Sequence, residues 1–216
     1  ALRILRGVAP EDITPDKLGE YLGFAKYRFS LLPEKPREGT VLGLAYTRHG
    51  GQIMPVEVTR FPGKGELSLT GKMGEVMQES AHTAFSCVRS LTGELGLEED
   101  YCSTHDFHVH IPENAIPKDG PSAGLSIALA LISAMTGKRV NHRIAVTGEI
   151  SLHGEILPVG GLKEKGLAAE RSGIEHMLIP SANLQEFKDI QKKYCQQMRI
   201  SGIRQLRDAL EHSLLD

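Results

Sequence analysis

The sequence predicts an α+β fold in which small mixed sheets pack with several helices. Three observations carry that expectation. Val41 to Thr47 and Ile53 to Phe61 are strand-like runs flanking Arg48-His49-Gly50-Gly51, which has the composition of a hairpin turn. Residues 73–96 and 122–135 carry helical patterns, the first amphipathic and the second apolar throughout. Strands and helices are interspersed without a clean βαβ repeat, which favours the α+β class.

Taken in order, residues 1–32 read as helix pieces. Within Pro10 to Leu22, Thr14 suits an N-cap and Pro15 the first helical position. Leu32-Pro33-Glu34-Lys35-Pro36-Arg37-Glu38-Gly39 holds two prolines and four charges, so residues 33–38 are the best linker candidate. A chain that opens mid-helix before a linker reads as a piece of something longer, with the main domain at 39–216. After the hairpin, Gly65 to Leu69 reads as a short strand. The 73–96 helix sets Val76, Met77, Ala81, Ala84, Phe85, Val88 and Leu91 on or near one stripe. Phe107 to Ile111 is a strand, and Ser122 to Met135 is apolar enough to be a buried helix. Strands follow at Arg143–Thr147 and Glu155–Val159, then a helix at 161–172, a strand at His176–Ile179, and helices near 183–194 and 203–214. There is no internal repeat and no low-complexity segment.

The bulk numbers exclude several classes. The 216 residues suffice for one large domain, or one domain and a fragment of a second. Apolar residues at 40% and charged residues at 24% are ordinary for a globular chain. A net charge of −2 and a pI near 6.5 give no electrostatic reason to expect nucleic acid or an anionic membrane as partner. No window approaches the roughly eighteen successive apolar residues of a membrane span. Ala1 to Arg6 lacks the apolar core of a signal peptide. Cys87, Cys102 and Cys195 are scattered and odd in number, which disfavours a disulfide framework or zinc site and fits a reducing compartment.

Chemistry concentrates first in Ile116-Pro117-Lys118-Asp119-Gly120-Pro121-Ser122-Ala123-Gly124, which runs straight into the apolar helix. Pro and Gly shape a tight loop and leave Ser122 in the first helical turn. Unpaired N–H groups and the positive end of the helix dipole there favour negative charge. An oxyanion formed by attack of Ser122 on an acyl group needs such donors. Gly120 and Gly124, without side chains, would let a substrate backbone approach. On spacing alone, a first-turn serine with no chemistry explains Ser122 as well. Ser126 and Ser133, deeper in the helix, read as packing residues.

A serine nucleophile needs a base, and no histidine stands in a recognisable hydrolase context. Gly160-Gly161-Leu162-Lys163-Glu164-Lys165-Gly166-Leu167-Ala168-Ala169 supplies the alternative. At about 100° per helical residue, Lys163 and Lys165 lie roughly 200° apart and cannot face one site. Lys165 projects with Leu162, Gly166, Ala168 and Ala169, whereas Lys163 falls beside Glu170 on a solvated side. To be largely neutral near pH 7.5, a lysine must fall from about 10.4, a differential of about 4 kcal/mol that only true burial supplies. A snorkelling lysine on a half-buried helix fits the spacing too.

Two other clusters carry ligand-type or phosphate-loop residues. His105, His108 and His110 sit close together, and His108 and His110 share a face if the segment is a strand. No paired carboxylate or second ligand cluster accompanies them at a metal-site spacing. Gly65-Glu66-Leu67-Ser68-Leu69-Thr70-Gly71-Lys72-Met73 superficially looks like a phosphate loop. It has one residue too many between the glycines, and Met73 stands where a hydroxyl is required.

Pro117 to Gly124 resembles the serine motif of Lon proteases at every position, and Gly160 to Lys165 resembles their lysine motif, whose second lysine is the catalytic one. The separation of 43 residues between Ser122 and Lys165 agrees. Further similarity lies in Pro62-Gly63-Lys64-Gly65, in Gly74-Glu75-Val76-Met77-Gln78-Glu79-Ser80 and in Thr147-Gly148-Glu149. The resemblance runs from about Gly39 to the C-terminus. Residues 1–32 look like the helical tail of the family's ATPase module. It implies the Lon peptidase-domain fold and an endopeptidase with a Ser122–Lys165 dyad and no third acidic member. It implies that Thr147 orients the lysine amine, that Asp119 engages that lysine when the site is inactive, and that Glu149, His108 and His110 lie in matching segments. It also implies unfolded or damaged polypeptides as substrates, a six-membered ring, and a cytoplasmic setting of bacterial type, with an organelle matrix as the lesser option. ATP and magnesium belong to the missing ATPase module, and no cofactor is expected in this domain. The rival expectation is a non-catalytic binding module of the same fold, for instance for RNA.

Overall fold

Thr40–Thr47 (β1) and Gly50–Pro62 (β2) form the expected hairpin, antiparallel and in register from Thr40 opposite Glu57 to Thr47 opposite Gly50. This is seen in a computed structural model that describes Thr14 and residues 17–23, 32–47, 50–112 and 118–215. Arg48 and His49 of the turn, and Pro15, lie outside the described residues. The chain divides into two units, Ala1–Leu31 and Leu32–Asp216.

Among the described residues of the first unit, a short α-helix, Leu18–Leu22 (α1), begins at Leu18 with Lys17 in the cap position. Thr14 therefore does not cap it by its side chain as expected. Its carbonyl instead accepts the Lys17 N–H at 3.0 Å. Gly23, at φ +74°, ends α1.

In the second unit the strands join into one larger sheet than their separate signals suggest. Besides β1 and β2 these are Leu67–Thr70 (β3), His105–His110 (β4), Ile144–Val146 (β5), His176–Pro180 (β8) and Arg199–Ile203 (β9), in the order β3-β4-β2-β1-β5-β8-β9. β1, β5, β8 and β9 run parallel, and β2 is antiparallel to its neighbours β1 and β4. Glu149–Ile150 (β6) and Ile156–Leu157 (β7) make a separate two-stranded ribbon. Val41 to Leu44 are all buried, as a central strand covered on both faces requires.

Alternate side chains of β1 feed two cores. Val41, with Met54, Val56 and Val58 of β2, packs with Glu75–Ser90 (α2), Gly124–Thr136 (α4) and Leu206–Ser213 (α7). Leu42 and Leu44 pack with Leu162–Arg171 (α5) and Leu184–Tyr194 (α6) on the other side. A short helix, Tyr101–Thr104 (α3), precedes β4. The apolar helix α4 is buried from Gly124 through Met135, enclosed among α2, α7 and the sheet. Its Ser126 and Ser133 hydroxyls donate to the Ala123 and Lys138 carbonyls, so both are packing residues.

Two boundaries differ from the sequence expectation. α2 stops at Ser90, six residues early, because Gly93 and Gly96 fall in the last expected turns and Gly96 sits at φ +74°. The last helix starts at Leu206, after strand β9, with Gln205 and Asp208 forming a capping box. Gly202 lets β9 form there: a Cβ on it would lie 2.3 Å from Leu184 Cδ1.

Candidate active site

β5 ends at Val146, opposite Gly43 of parallel β1, and the site lies beyond that end, beside residues 44–47 that continue β1. Thr147 follows β5 directly. Its N–H donates to the Leu178 carbonyl at 3.1 Å, and the residue is wholly buried. Ser122 sits on a 3₁₀ turn, Pro121–Ala123, that continues into α4. Two backbone bonds tie this turn to the strand end: Gly148 N–H donates to the Ser122 carbonyl (3.1 Å) and Leu125 N–H to the Gly148 carbonyl (3.0 Å).

Lys165 comes from α5. The buried residues of that helix are Leu162, Lys165, Gly166, Ala168 and Ala169, the set that the helical projection groups together. Lys163 is exposed, its amine 5.3 Å from the centre of the Tyr194 ring. Two glycines bring α5 close enough. A Cβ on Gly51 would lie 1.9 Å from the Glu164 carbonyl oxygen, and one on Gly166 2.7 Å from Phe187 Cζ. The helix thus settles on β2 and against α6.

The lysine amine then reaches both hydroxyls. Lys165 Nζ is 3.1 Å from Ser122 Oγ and 3.0 Å from Thr147 Oγ1. Burial lowers the Lys165 pKa from 10.5 to about 8, because the charged form loses its water. A neutral fraction therefore exists near physiological pH, and a neutral amine can take a proton from the serine hydroxyl.

A cavity of about 320 Å³ opens onto these atoms. Leu44, Tyr46, Met54, Met77 and Pro121 give it an apolar lining, and Lys118, Asp119 and Glu149 carry the charged groups. Pro158 to Gly160 form part of its rim, held by Asn183, whose side chain accepts the Val159 N–H (3.0 Å) and donates back to the Val159 carbonyl (3.2 Å). Asn183 is buried, and nothing in the local sequence marks it.

Other residues singled out in the sequence lie variously. Gly120 stands at φ +132°, a conformation that favours glycine, with nothing within 4 Å of where a side chain would begin. Gly124 does something else than expected. A Cβ there would lie 2.8 Å from both Ile150 Cγ2 and Ser80 Oγ, so its missing side chain serves packing against α2 and β6 rather than substrate approach. Asp119 lines the cavity, but its carboxylate accepts N–H groups of Met77 (3.1 Å) and Gly120 (3.0 Å), not the lysine amine. His108 and His110 do not line the cavity. Both bond Thr70 Oγ1, at 2.8 and 2.7 Å, on an exposed stretch of β4 and β3. Among the described residues no group of three or more His, Cys, Asp or Glu is placed to hold a metal ion. Residues 67–70 of the phosphate-loop lookalike form strand β3, paired along its length with β4. Cys87, Cys102 and Cys195 are buried apart as free thiols, each with its pKa raised by burial. Ile116 and Pro117, the start of the serine segment, lie outside the described residues.

A profile of the Lon protease (S16) C-terminal proteolytic domain matches residues 12–216. The chain belongs to this family. Among similar proteins, it is 49% identical over 195 residues to Lon protease 2 of Desulfotalea psychrophila, covering 90% of this chain and 25% of that one. It is 52% identical over 182 residues to Lon protease 1 of Hydrogenovibrio crunogenus, covering 84% and 22%. Lon protease 1 of Bacillus subtilis is 45% identical over 203 residues, covering 94% and 26%. This Lon proteolytic domain therefore spans about a quarter of the length of the curated relatives it matches. Among its described residues no helix is long and apolar enough to cross a membrane.

Proposed function

We propose that this Lon domain hydrolyses peptide bonds with Ser122 as nucleophile and Lys165 as general base. The carrying observation is the buried amine within hydrogen-bond distance of the two hydroxyls of Ser122 and Thr147, with its pKa lowered to about 8. With the amine neutral, the Ser122 hydroxyl donates to Nζ. As Oγ attacks the scissile carbonyl carbon, its proton passes to Lys165 and the carbonyl electron pair moves onto oxygen. Backbone N–H groups around Ser122 are the proposed oxyanion donors. The intermediate then collapses: the C–N bond breaks, and the ammonium gives its proton to the leaving amine. Deacylation repeats the sequence with water. Lys165 takes a water proton, the hydroxide oxygen bonds the acyl carbon, and the ester bond to Oγ breaks as the proton returns to Ser122. Thr147 keeps the amine aimed throughout by accepting a hydrogen bond from it. Glu149, at the cavity wall, is placed to meet a substrate amide or cation. His108 and His110 take no part in this chemistry.

The substrates we propose are unfolded polypeptides, delivered by an ATPase carried in the remainder of a longer protein. ATP and magnesium would act there, and the assembled protein would be a bacterial, cytoplasmic hexamer. A non-catalytic binding module would have no use for a desolvated amine beside a serine hydroxyl, since burying a lysine without chemistry only costs stability. The test is covalent labelling with a fluorophosphonate or a peptide boronate, alongside turnover of a small fluorogenic peptide. Label on Ser122, and loss of both label and turnover in a folded Ser122→Ala variant, is expected. Turnover surviving in that variant, with contaminating proteases excluded, would refute the assignment.

A further inference from the structure

The segment that delivers Ser122 is fastened to the start of α2 at three successive points. Met73 and Lys118 form a parallel bridge, and Gly74 N–H donates to the Lys118 carbonyl at 2.7 Å. One residue on, Asp119 Oδ1 accepts the Met77 N–H at 3.1 Å and the Gly120 N–H at 3.0 Å. Ser80 Oγ then donates to the Pro121 carbonyl at 3.1 Å, immediately before Ser122.

Each fastening has a physical reason. Met77 is the third residue of α2, so its N–H has no partner within the helix. Gly74, the residue in the cap position, has no side chain to supply one. Asp119 serves as the cap from 42 residues away, with a carboxylate at the positive end of the helix dipole. Gly74 leaves the space for it: a Cβ there would lie 2.5 Å from Asp119 Cγ. Ser80 is 7% exposed, and the Cβ position of Gly124 is 2.8 Å from its hydroxyl, so this third fastening lies directly beneath the nucleophile's turn.

We infer that Asp119 and Ser80 are positioning residues through which the first turns of α2 hold Ser122 Oγ within reach of Lys165. The inference rests on the Ser–Lys reading above. It assigns to Asp119 a part in the working geometry of the site, as a cap that needs an acceptor oxygen.

The test compares Asp119→Ala, Asp119→Asn and Ser80→Ala with the parent by the rate constant and final stoichiometry of fluorophosphonate labelling, and by kcat and KM on a fluorogenic peptide. Asparagine keeps an acceptor oxygen for Met77 N–H but removes the charge. Misplacing a nucleophile by an ångström or less costs up to about a hundredfold, so both alanine variants should label and turn over roughly tenfold to a hundredfold more slowly. KM should stay within about threefold, and labelling should still run to full stoichiometry, since every molecule carries the same misplaced serine. Asp119→Asn should recover to within about threefold of the parent, asparagine being as good a cap as aspartate. Labelling of Asp119→Ala at the parent rate would overturn the inference, and so would an asparagine variant as slow as alanine. Reduced stoichiometry at an unchanged rate constant would overturn it as well, because that is loss of folded protein alone. If the parent were labelled elsewhere than Ser122, the nucleophile assignment would fall and this inference with it.

Discussion

Replacing Lys165 by methionine separates what the amine does for the reaction from what it costs the fold. The folded-state pKa of about 8 against 10.5 for a free lysine means that the charged amine is disfavoured in the fold by about 3 kcal/mol. The unfolded chain binds the extra proton between those two values, so this penalty is fully present below pH 8 and fades as pH rises toward 10.5. Methionine fills similar volume without the charge. Against that gain, the wholly buried Thr147 hydroxyl loses its partner, at a cost of about 1–2 kcal/mol. The balance is a stabilisation of about 1–2 kcal/mol at pH 7, or a Tm increase of roughly 2–8 °C for a domain of this size. Turnover of a fluorogenic peptide should meanwhile fall by about 10² or more. Lys163→Met is the control: its side chain is exposed, and activity should change little. The measurements are thermal melts of the parent and both variants at pH 7 and pH 10, with peptide assays beside them. A Lys165→Met variant less stable than the parent at pH 7, or a stability difference that does not shrink by pH 10, would refute the buried-cation reasoning. An inactive Lys163→Met beside an active Lys165→Met would refute the choice of base.

The rate itself should follow the same group. Only the neutral amine accepts the serine proton, so kcat/KM should rise about tenfold per pH unit below an apparent pKa of about 8 and level off above it. A profile that falls through this range would assign the base elsewhere. Gly124→Ala should destabilise the domain by about 1–3 kcal/mol in urea melts, because the new methyl would meet the Ile150 backbone nitrogen at 3.1 Å as well as two side chains at 2.8 Å. A change within about 0.5 kcal/mol would return that glycine to the role of substrate approach.

What the sequence makes legible here is the facing of each element. The period of α5 separates Lys165 from Lys163 without any knowledge of what covers either, and the apolar run after Ser122 marks a helix enclosed on all sides. Burial pattern is local information, carried by residues three and four apart, so it survives in a single chain. Partnership is not local. Asp119 caps a helix that starts 44 positions before it in the chain, and the residue in that helix's own cap position is a glycine that signals only permissiveness. Asn183 props up the cavity rim through a backbone 24 residues earlier. Strand β9 has no local signal for a related reason: Arg-Ile-Ser-Gly-Ile has too little alternation to read as a strand, and it becomes one because β8 offers a parallel edge and Gly202 admits Leu184.

The same distinction explains why the histidines drew attention that the fold does not reward. His108 and His110 do share a face, as residues two apart on a strand must. What that face meets is set by the register of β3, which places Thr70 opposite His110 and within hydrogen-bond distance of both rings. Lys165 has the opposite history. Its helix crosses β2 where Gly51 lets the two backbones touch, and β5 ends at Val146 so that the next side chain, Thr147, meets the amine. Neither event has a local signature in the lysine segment. A desolvated amine is tolerated at that place because the Ser122 hydroxyl and the Thr147 hydroxyl at the end of β5 converge on it, and the helix, the serine turn and the strand end come from three different parts of the chain.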